Sequence, residues 1–321
     1  MLTVKLILED AEMPRTVFWE KLLAALAVLP ATAARTIYLP QEDTAMETNW
    51  PRYRNRASSY VRGMGHDLSA QGMLKKYYDR IIARARAHPQ ESILVFNMNP
   101  FIRISTMLRG HGNIYVADGC LTELDRSLNP RSISMPAMPM QVSGRAYANE
   151  GRRKYLASFQ GAPSHPVRAA LRQIHDGEKF VIHIIDPTRH STLKLDATTG
   201  RADDDYRDIM ENADFAFIPR GDALFSYRLL EAMSFGCIPI ILSDNWVLPF
   251  HRLIDWSSCS LRPREDEIGG CVALLKGLSD AEVLHRKRKV LEVYQRYFAS
   301  LETILTQGVF VELEQCLAQK P

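Results

Sequence analysis

Residues 213–256 read ADFAFIPRGDALFSYRLLEAMSFGCIPIILSDNWVLPFHRLIDW, and their punctuation defines one unit of a parallel sheet. The apolar strand Phe215–Ile218 stops at Pro219, which has no N–H to give to a ladder, and Arg220-Gly221 allow a tight turn. Ser226 suits the N-cap of the helix that follows, over Phe225–Phe235, and Gly236 suits its C′ position. Pro239 opens a second buried strand, which Ser243-Asp244 end. Strand, loop, helix, strand is a βαβ unit with its helix N-terminus at the carboxyl edge of the sheet.

The same rhythm extends outward. Strand-like runs lie at Val4–Leu8, Thr36–Leu39, Ile93–Asn97, Asn113–Ala117, Tyr155–Phe159, Phe180–Ile185 and Pro239–Leu242. Most are continuous apolar runs, as expected of parallel strands covered on both faces. Helical patterns separate them, at residues 14–29, 71–87, 166–174 and 205–211, and a last helical stretch spans 280–319. Alternation of this kind predicts doubly wound α/β sheets. Asn129–Met140 holds three prolines and no helical period, which places a domain junction near it. The expected division is an N-terminal acceptor-side Rossmann-like domain over 1–145, a nucleotide-sugar-binding Rossmann-like domain over 146–285, and a C-terminal helix over 286–321 returning to the first.

Composition excludes more than it selects. The 321 residues carry a formal charge of +3 and are 46% hydrophobic, so bulk electrostatics favours neither nucleic acid nor an anionic membrane. The five cysteines, Cys120, Cys237, Cys259, Cys271 and Cys316, include no CxxC pair and predict reduced thiols without zinc. The first twenty residues contain Glu9, Asp10, Glu12 and Glu20, unlike a basic signal-peptide leader, and no run approaches a membrane span. A cytoplasmic protein, peripheral to a membrane at most, is the expectation. The run His285–Lys289 keeps helical spacing among apolar positions and reads as a solvated helix face.

Chemistry concentrates in the opening segment. A helix N-terminus with a capping serine offers free N–H groups to an anion, and Arg228 lies in its first turn. An arginine can grip a diphosphate without a metal because its guanidinium is a planar bidentate cation. Glu231, one turn on, can accept hydrogen bonds from two ribose hydroxyls. The plainer reading of Arg228 and Glu231 is a surface ion pair.

This segment resembles the signature of the exostosin family, the family 47 glycosyltransferases. Matching pieces are Pro219-Arg220-Gly221, Ser226-Tyr227-Arg228, Glu231-Ala232, Gly236-Cys237-Ile238-Pro239, Ser243-Asp244, Leu248-Pro249-Phe250 and Trp256. Upstream, Lys154–Gly161 with Arg168 is similar to the family's strand and helix. Ser132-Ile133-Ser134-Met135-Pro136 is similar to its interdomain link, with Ser132 where aspartate is usual. The likeness is dense over 150–260 and sparse over 1–130.

The resemblance implies a GT-B-like fold, two doubly wound Rossmann-like domains facing across a cleft. It implies an inverting transfer of sugar from a UDP-sugar to a hydroxyl of an oligosaccharide or polysaccharide, with no metal or other cofactor. The alternative is an inert exostosin-like partner of another transferase. Carried over by position, Arg220, Gly221, Ser226, Tyr227 and Arg228 hold the diphosphate end, Arg168 adds a ligand, Glu231 holds the ribose, and His183 contacts the donor sugar or sits in the core. Asp203-Asp204-Asp205 reads as helix capping rather than a metal motif. The general base is expected at a strand end of the N-terminal domain: Asp118 first, then Asp43 or Asp10. Arginines 52, 54, 56 and 62 with Tyr53 and Tyr60 read first as a solvated loop, and alternatively as a basic and aromatic surface for a sugar chain. Either a homo- or a hetero-oligomer is compatible with this reading.

Overall fold

The computed structural model describes residues 37–38, 68–97, 108–137, 139, 142–143, 151–185, 204–221 and 223–318. The expected strand at Val4–Leu8, the helix at 14–29, Asp10, Asp43, the arginines of 52–62 and Asp203 lie outside the described residues. What is described falls into two compact units. One holds the residues up to Ile133 together with those from Ser300 onward; the other holds Ser134–Ala299.

In the first unit the strands β1 (Ile37–Tyr38), β2 (Ser92–Asn97), β3 (Ile114–Asp118) and β4 (Ser132–Ser134) form one sheet in the order β1-β2-β3-β4. The pairs β1/β2 and β2/β3 are parallel, with Val95 opposite Val116. Helix α1 (Leu68–Ala87) lays Tyr78, Ile81 and Ala85, spaced three and four apart, against Ile93, Val95, Ile114 and Val116. The Asn113 side chain closes that helix by donating to the Ala85 and His88 carbonyls at 3.0 and 3.1 Å. Helix α2 (Glu123–Leu128) opens with a reciprocal capping box between Thr122 and Asp125.

The second unit carries a fully parallel sheet of β5 (Tyr155–Gly161), β6 (Phe180–Ile184), β7 (Ala213–Pro219) and β8 (Ile238–Leu242), in the order β6-β5-β7-β8. Between strands lie α3 (Pro166–Ala170, continued by a 3₁₀ turn to Ile174), α4 (Asp204–Glu211) and α5 (Arg228–Ser234). After β8 come α6 (Trp256–Cys259), α7 (Ile268–Gly277) and α8 (Asp280–Tyr297). Every residue of β7 and β8 is buried, which is why neither alternates in sequence. Two parallel α/β units are the fold class the sequence reading predicts.

Local differences have local causes. β7 runs through Pro219, which stands opposite Leu242, because a proline at a strand's last position costs no interior ladder bond. β8 begins at Ile238, one residue before Pro239, whose carbonyl accepts from the Leu261 amide at 2.9 Å. The helix expected over Phe225–Phe235 is shorter. Its end is as read: Gly236 has φ +68°, and the Gly236 and Cys237 amides bond the Met233 and Ala232 carbonyls. The expected single helical stretch from 280 breaks after Tyr297. Ser300 caps a new start, α9 (Leu301–Thr303), which passes through a π turn at Ile304–Val309 into α10 (Phe310–Ala318).

The basic run of α8 is a solvated face only in part, with His285 and Arg288 exposed. Lys287 is fully buried, paired with Asp214, and donates to the Gly151 carbonyl at 2.8 Å. Arg286 reaches the Ser257 and Ser260 carbonyls. Among the described residues no helix is long and apolar enough to cross a membrane, and the five cysteines are free thiols.

Candidate functional site

The chain leaves β5 toward β6 on one side, then returns past β5 to build β7 and β8 on the other. The gap between the carboxyl ends of β5 and β7 is therefore the switch point of this sheet, where open α/β sheets bind ligands. Arginines from three separate segments lie at these strand ends, two of them over one ring.

Arg228, the first residue of α5, donates Nε–H to the Gln160 carbonyl at the end of β5, 2.7 Å away. Its guanidinium lies over the Phe159 ring at 5.3 Å and has no carboxylate partner among the described residues. Arg168, on α3, is buried and stands on the same ring at 6.0 Å. It donates Nε–H to the Arg220 carbonyl at 2.9 Å and makes longer contacts of 3.4 Å to the Ala162 and Pro219 carbonyls. Arg168 thus stitches the end of β5 to the end of β7, a bracing role that the sequence reading did not give it. Arg220 follows β7, and its amide continues the ladder to the Leu242 carbonyl. Its Nη1 stands 4.0 Å from Glu265, and its Nε–H is buried with no hydrogen-bond partner.

Two glycines make this crowding possible. A Cβ on Gly161 would lie 2.6 Å from Arg228 Nη2, and one on Gly221 would lie 2.8 Å from Arg168 Nη2. Neither glycine has a left-handed φ, so the requirement is space and not backbone freedom.

The start of α5 differs from the expectation. The helix begins at Arg228 with Tyr227 as its cap residue and no capping side chain. Ser226 is buried, its hydroxyl only 3.4 Å from the Arg228 amide, while its carbonyl takes the Leu229 amide at 3.1 Å. A seven-residue helix entered this way is a poor anion cradle, so the positive charge at the edge belongs to the arginines. Tyr227 is 44% exposed, its ring edge-on to Phe225.

Glu231 lies one turn into α5, buried, and accepts the Tyr206 hydroxyl at 2.6 Å. Tyr206 comes from α4, and burial first, then the Glu231 charge, holds its hydroxyl well above the usual tyrosine range. The phenol is therefore a fixed donor to the carboxylate. The plainer reading of Arg228 and Glu231 as a surface pair fails, because the glutamate is buried and bonds a tyrosine.

His183 is exposed at the end of β6 and edge-on to His175, so the core reading of it is overturned. It stands in register with Gln160, sharing that residue's face of the sheet rather than Phe159's. In the first unit, Asp118 ends β3, buried, with Oδ1 taking the Cys120 amide at 2.8 Å. Among the described residues no group of three acidic, histidine or cysteine side chains is placed to hold a metal.

Sequence reading gave no role to Phe159, Gly161, Gln160 or Tyr206. Gln160 had a faint signal, a polar residue near the end of an apolar strand. Tyr206 had none, because its partner is 25 residues away.

The Exostosin GT47 domain matches residues 79–278, well over half of the chain. The chain belongs to the exostosin GT47 family. This exostosin-family chain is 28% identical over 178 residues to Exostosin-1b of Danio rerio, covering 52% of itself and 24% of that protein. It is 30% identical over 168 residues to the Exostosin-1 homolog of Caenorhabditis elegans, covering 48% and 44%. The chain thus spans from about a quarter to under half the length of these curated relatives. Among solved structures it is similar to WaaG, a glycosyltransferase involved in lipopolysaccharide biosynthesis. That likeness has 11% identity and a TM-score of 0.41, covering 96% of this chain and 100% of the other, and is too loose to carry an argument.

Proposed function

We propose that this chain is an inverting glycosyltransferase that moves a sugar from a UDP-sugar to a glycan hydroxyl without a metal ion. The observation that carries the proposal is that Arg168 and Arg228 stand over one ring, Phe159, at the switch point, with Arg220 directly after β7 and held there through its carbonyl by Arg168. Two guanidiniums over one ring repel each other, and an anion binding between them relieves that repulsion. A diphosphate has the right size and charge, and arginine matches its oxygens bidentately. Arg220 and Arg228 take the diphosphate, while Arg168 holds the two strand ends that present them. Glu231, oriented by the Tyr206 hydroxyl, accepts hydrogen bonds from the ribose.

In the transfer, an acceptor oxygen attacks the anomeric carbon as the bond to the diphosphate breaks, and UDP leaves with the electron pair. The guanidinium charges stabilise the negative charge growing on that leaving group, the task a metal performs elsewhere. A carboxylate takes the acceptor proton; Asp118 is the proposed base among the described residues. Tyr227 and His183 stand at the same edge as further donor contacts.

The test is incubation with a panel of UDP-sugars, with and without EDTA, scored for slow donor hydrolysis. One donor consumed equally in both conditions supports the reading, and Asp118→Asn then loses transfer to an acceptor while keeping UDP affinity. Consumption abolished by EDTA overturns metal independence. UDP binding without any turnover favours the inert-partner alternative.

A further inference from the structure

Two buried polar atoms at the switch point lack any hydrogen-bond partner: the Gln160 side-chain oxygen and Arg220 Nε–H. Unpaired buried groups of this kind are rare, since each gives up its water and gains nothing in return. These two are not scattered. Ser158 pairs in register with Ala216, so Gln160 and Arg220, two and four residues further along their strands, fall on one face of neighbouring strands. His183, in register with Gln160 on the other side, shares that face at the exposed edge. Meanwhile the Gln160 backbone carbonyl is taken by Arg228, which fixes the residue whose side chain is left unsatisfied.

The chemistry of the two orphans differs. Arg220 Nε–H needs an acceptor, which a phosphate oxygen supplies. The carboxamide oxygen needs a donor, and an ionised diphosphate has none. A hydroxyl next to a diphosphate meets both needs, and a nucleotide sugar offers hydroxyls on the ribose and on the transferred sugar. We infer that Gln160 is a donor-recognition residue, its side-chain amide accepting a hydrogen bond from a hydroxyl of the bound nucleotide sugar. This rests on the nucleotide-sugar reading of the site and adds a specificity element to it. The arginines grip charge common to all such donors, whereas Gln160 reads a hydroxyl and so distinguishes donors that present it from those that do not.

The test variant is Gln160→Met, close in volume and without hydrogen-bonding groups. Thermal unfolding of the free protein is measured beside affinity for UDP, for 2′,3′-dideoxy-UDP, and for the tightest-binding member of a UDP-sugar panel. The expected unfolding midpoint is equal to or above wild type, because an unsatisfied polar atom has been removed, while the UDP-sugar binds about fivefold to tenfold more weakly. If the hydroxyl is on the transferred sugar, UDP affinity stays unchanged. If it is on the ribose, UDP weakens equally and the wild-type preference for UDP over the dideoxy form shrinks. A lowered midpoint, or unchanged affinity for every ligand while wild type binds them, overturns the inference and leaves the arginine site standing. A wild-type protein that binds no uridine nucleotide removes the nucleotide reading itself, and this inference with it.

Discussion

Gly161 is where it is because Arg228 fills the space a side chain would need: a Cβ on Gly161 would stand 2.6 Å from Arg228 Nη2. The glycine ends β5, the arginine begins α5, and the contact sets the guanidinium over Phe159 at the switch point. Gly161→Ala is therefore expected to act through Arg228. It displaces the guanidinium without removing it and weakens UDP binding by at least about tenfold, or about 1.4 kcal/mol. Retained affinity in a folded Gly161→Ala protein would show that this placement is not needed.

The Tyr206–Glu231 bond predicts a second effect. Tyr206→Phe keeps the ring and removes the donor to a buried carboxylate, costing about 1–3 kcal/mol of stability by denaturant unfolding. Discrimination between UDP and 2′,3′-dideoxy-UDP should fall as well, since the Tyr206 hydroxyl that helps orient the Glu231 carboxylate is lost. A stability loss with unaltered discrimination would confine Tyr206 to packing.

Asp176 gives a pH signature. Burial is the largest single influence and works against its ionised form, but the amides of Phe180, Glu178 and Lys179 all donate to Oδ1 at 2.7–2.9 Å and together hold its carboxyl below the ordinary aspartate range. With the folded value below the unfolded one, this stabilisation is complete above about pH 4 and is lost as pH falls through the folded value. Unfolding midpoints of wild type and Asp176→Ala should differ at neutral pH and converge in acid. A constant gap down to pH 2 would contradict the assignment.

The parallel-sheet architecture was legible because both strands of the 213–242 unit are apolar without alternation and are bounded by Pro219-Arg220-Gly221 and Gly236. The Gly236 C′ position followed from residue type alone. What could not be read depends on distance in the chain. Lys287 looks like one of five solvated cations, yet a carboxylate 73 residues earlier (287 − 214) draws it into the core. Ser226 looks like a helix cap, and its hydroxyl takes the Arg228 amide at 3.4 Å, but Tyr227 is the cap residue and the helix starts one residue late. Arg168 was carried over as a ligand from the family resemblance, and nothing in the sequence showed its bracing role beside that. Only the fold brings the carbonyls of Pro219 and Arg220, some 50 residues on, within its reach. Residues acting through local backbone geometry show in sequence; those acting across the sheet do not.

Calorimetric titration of UDP into the wild-type protein, Arg228→Ala and Glu231→Ala bears on the central claim most directly. The arrangement at the ends of β5 and β7 predicts measurable wild-type binding, weakened at least about tenfold in each variant. Equal affinity in all three proteins would place the nucleotide somewhere other than this switch point and contradict the account.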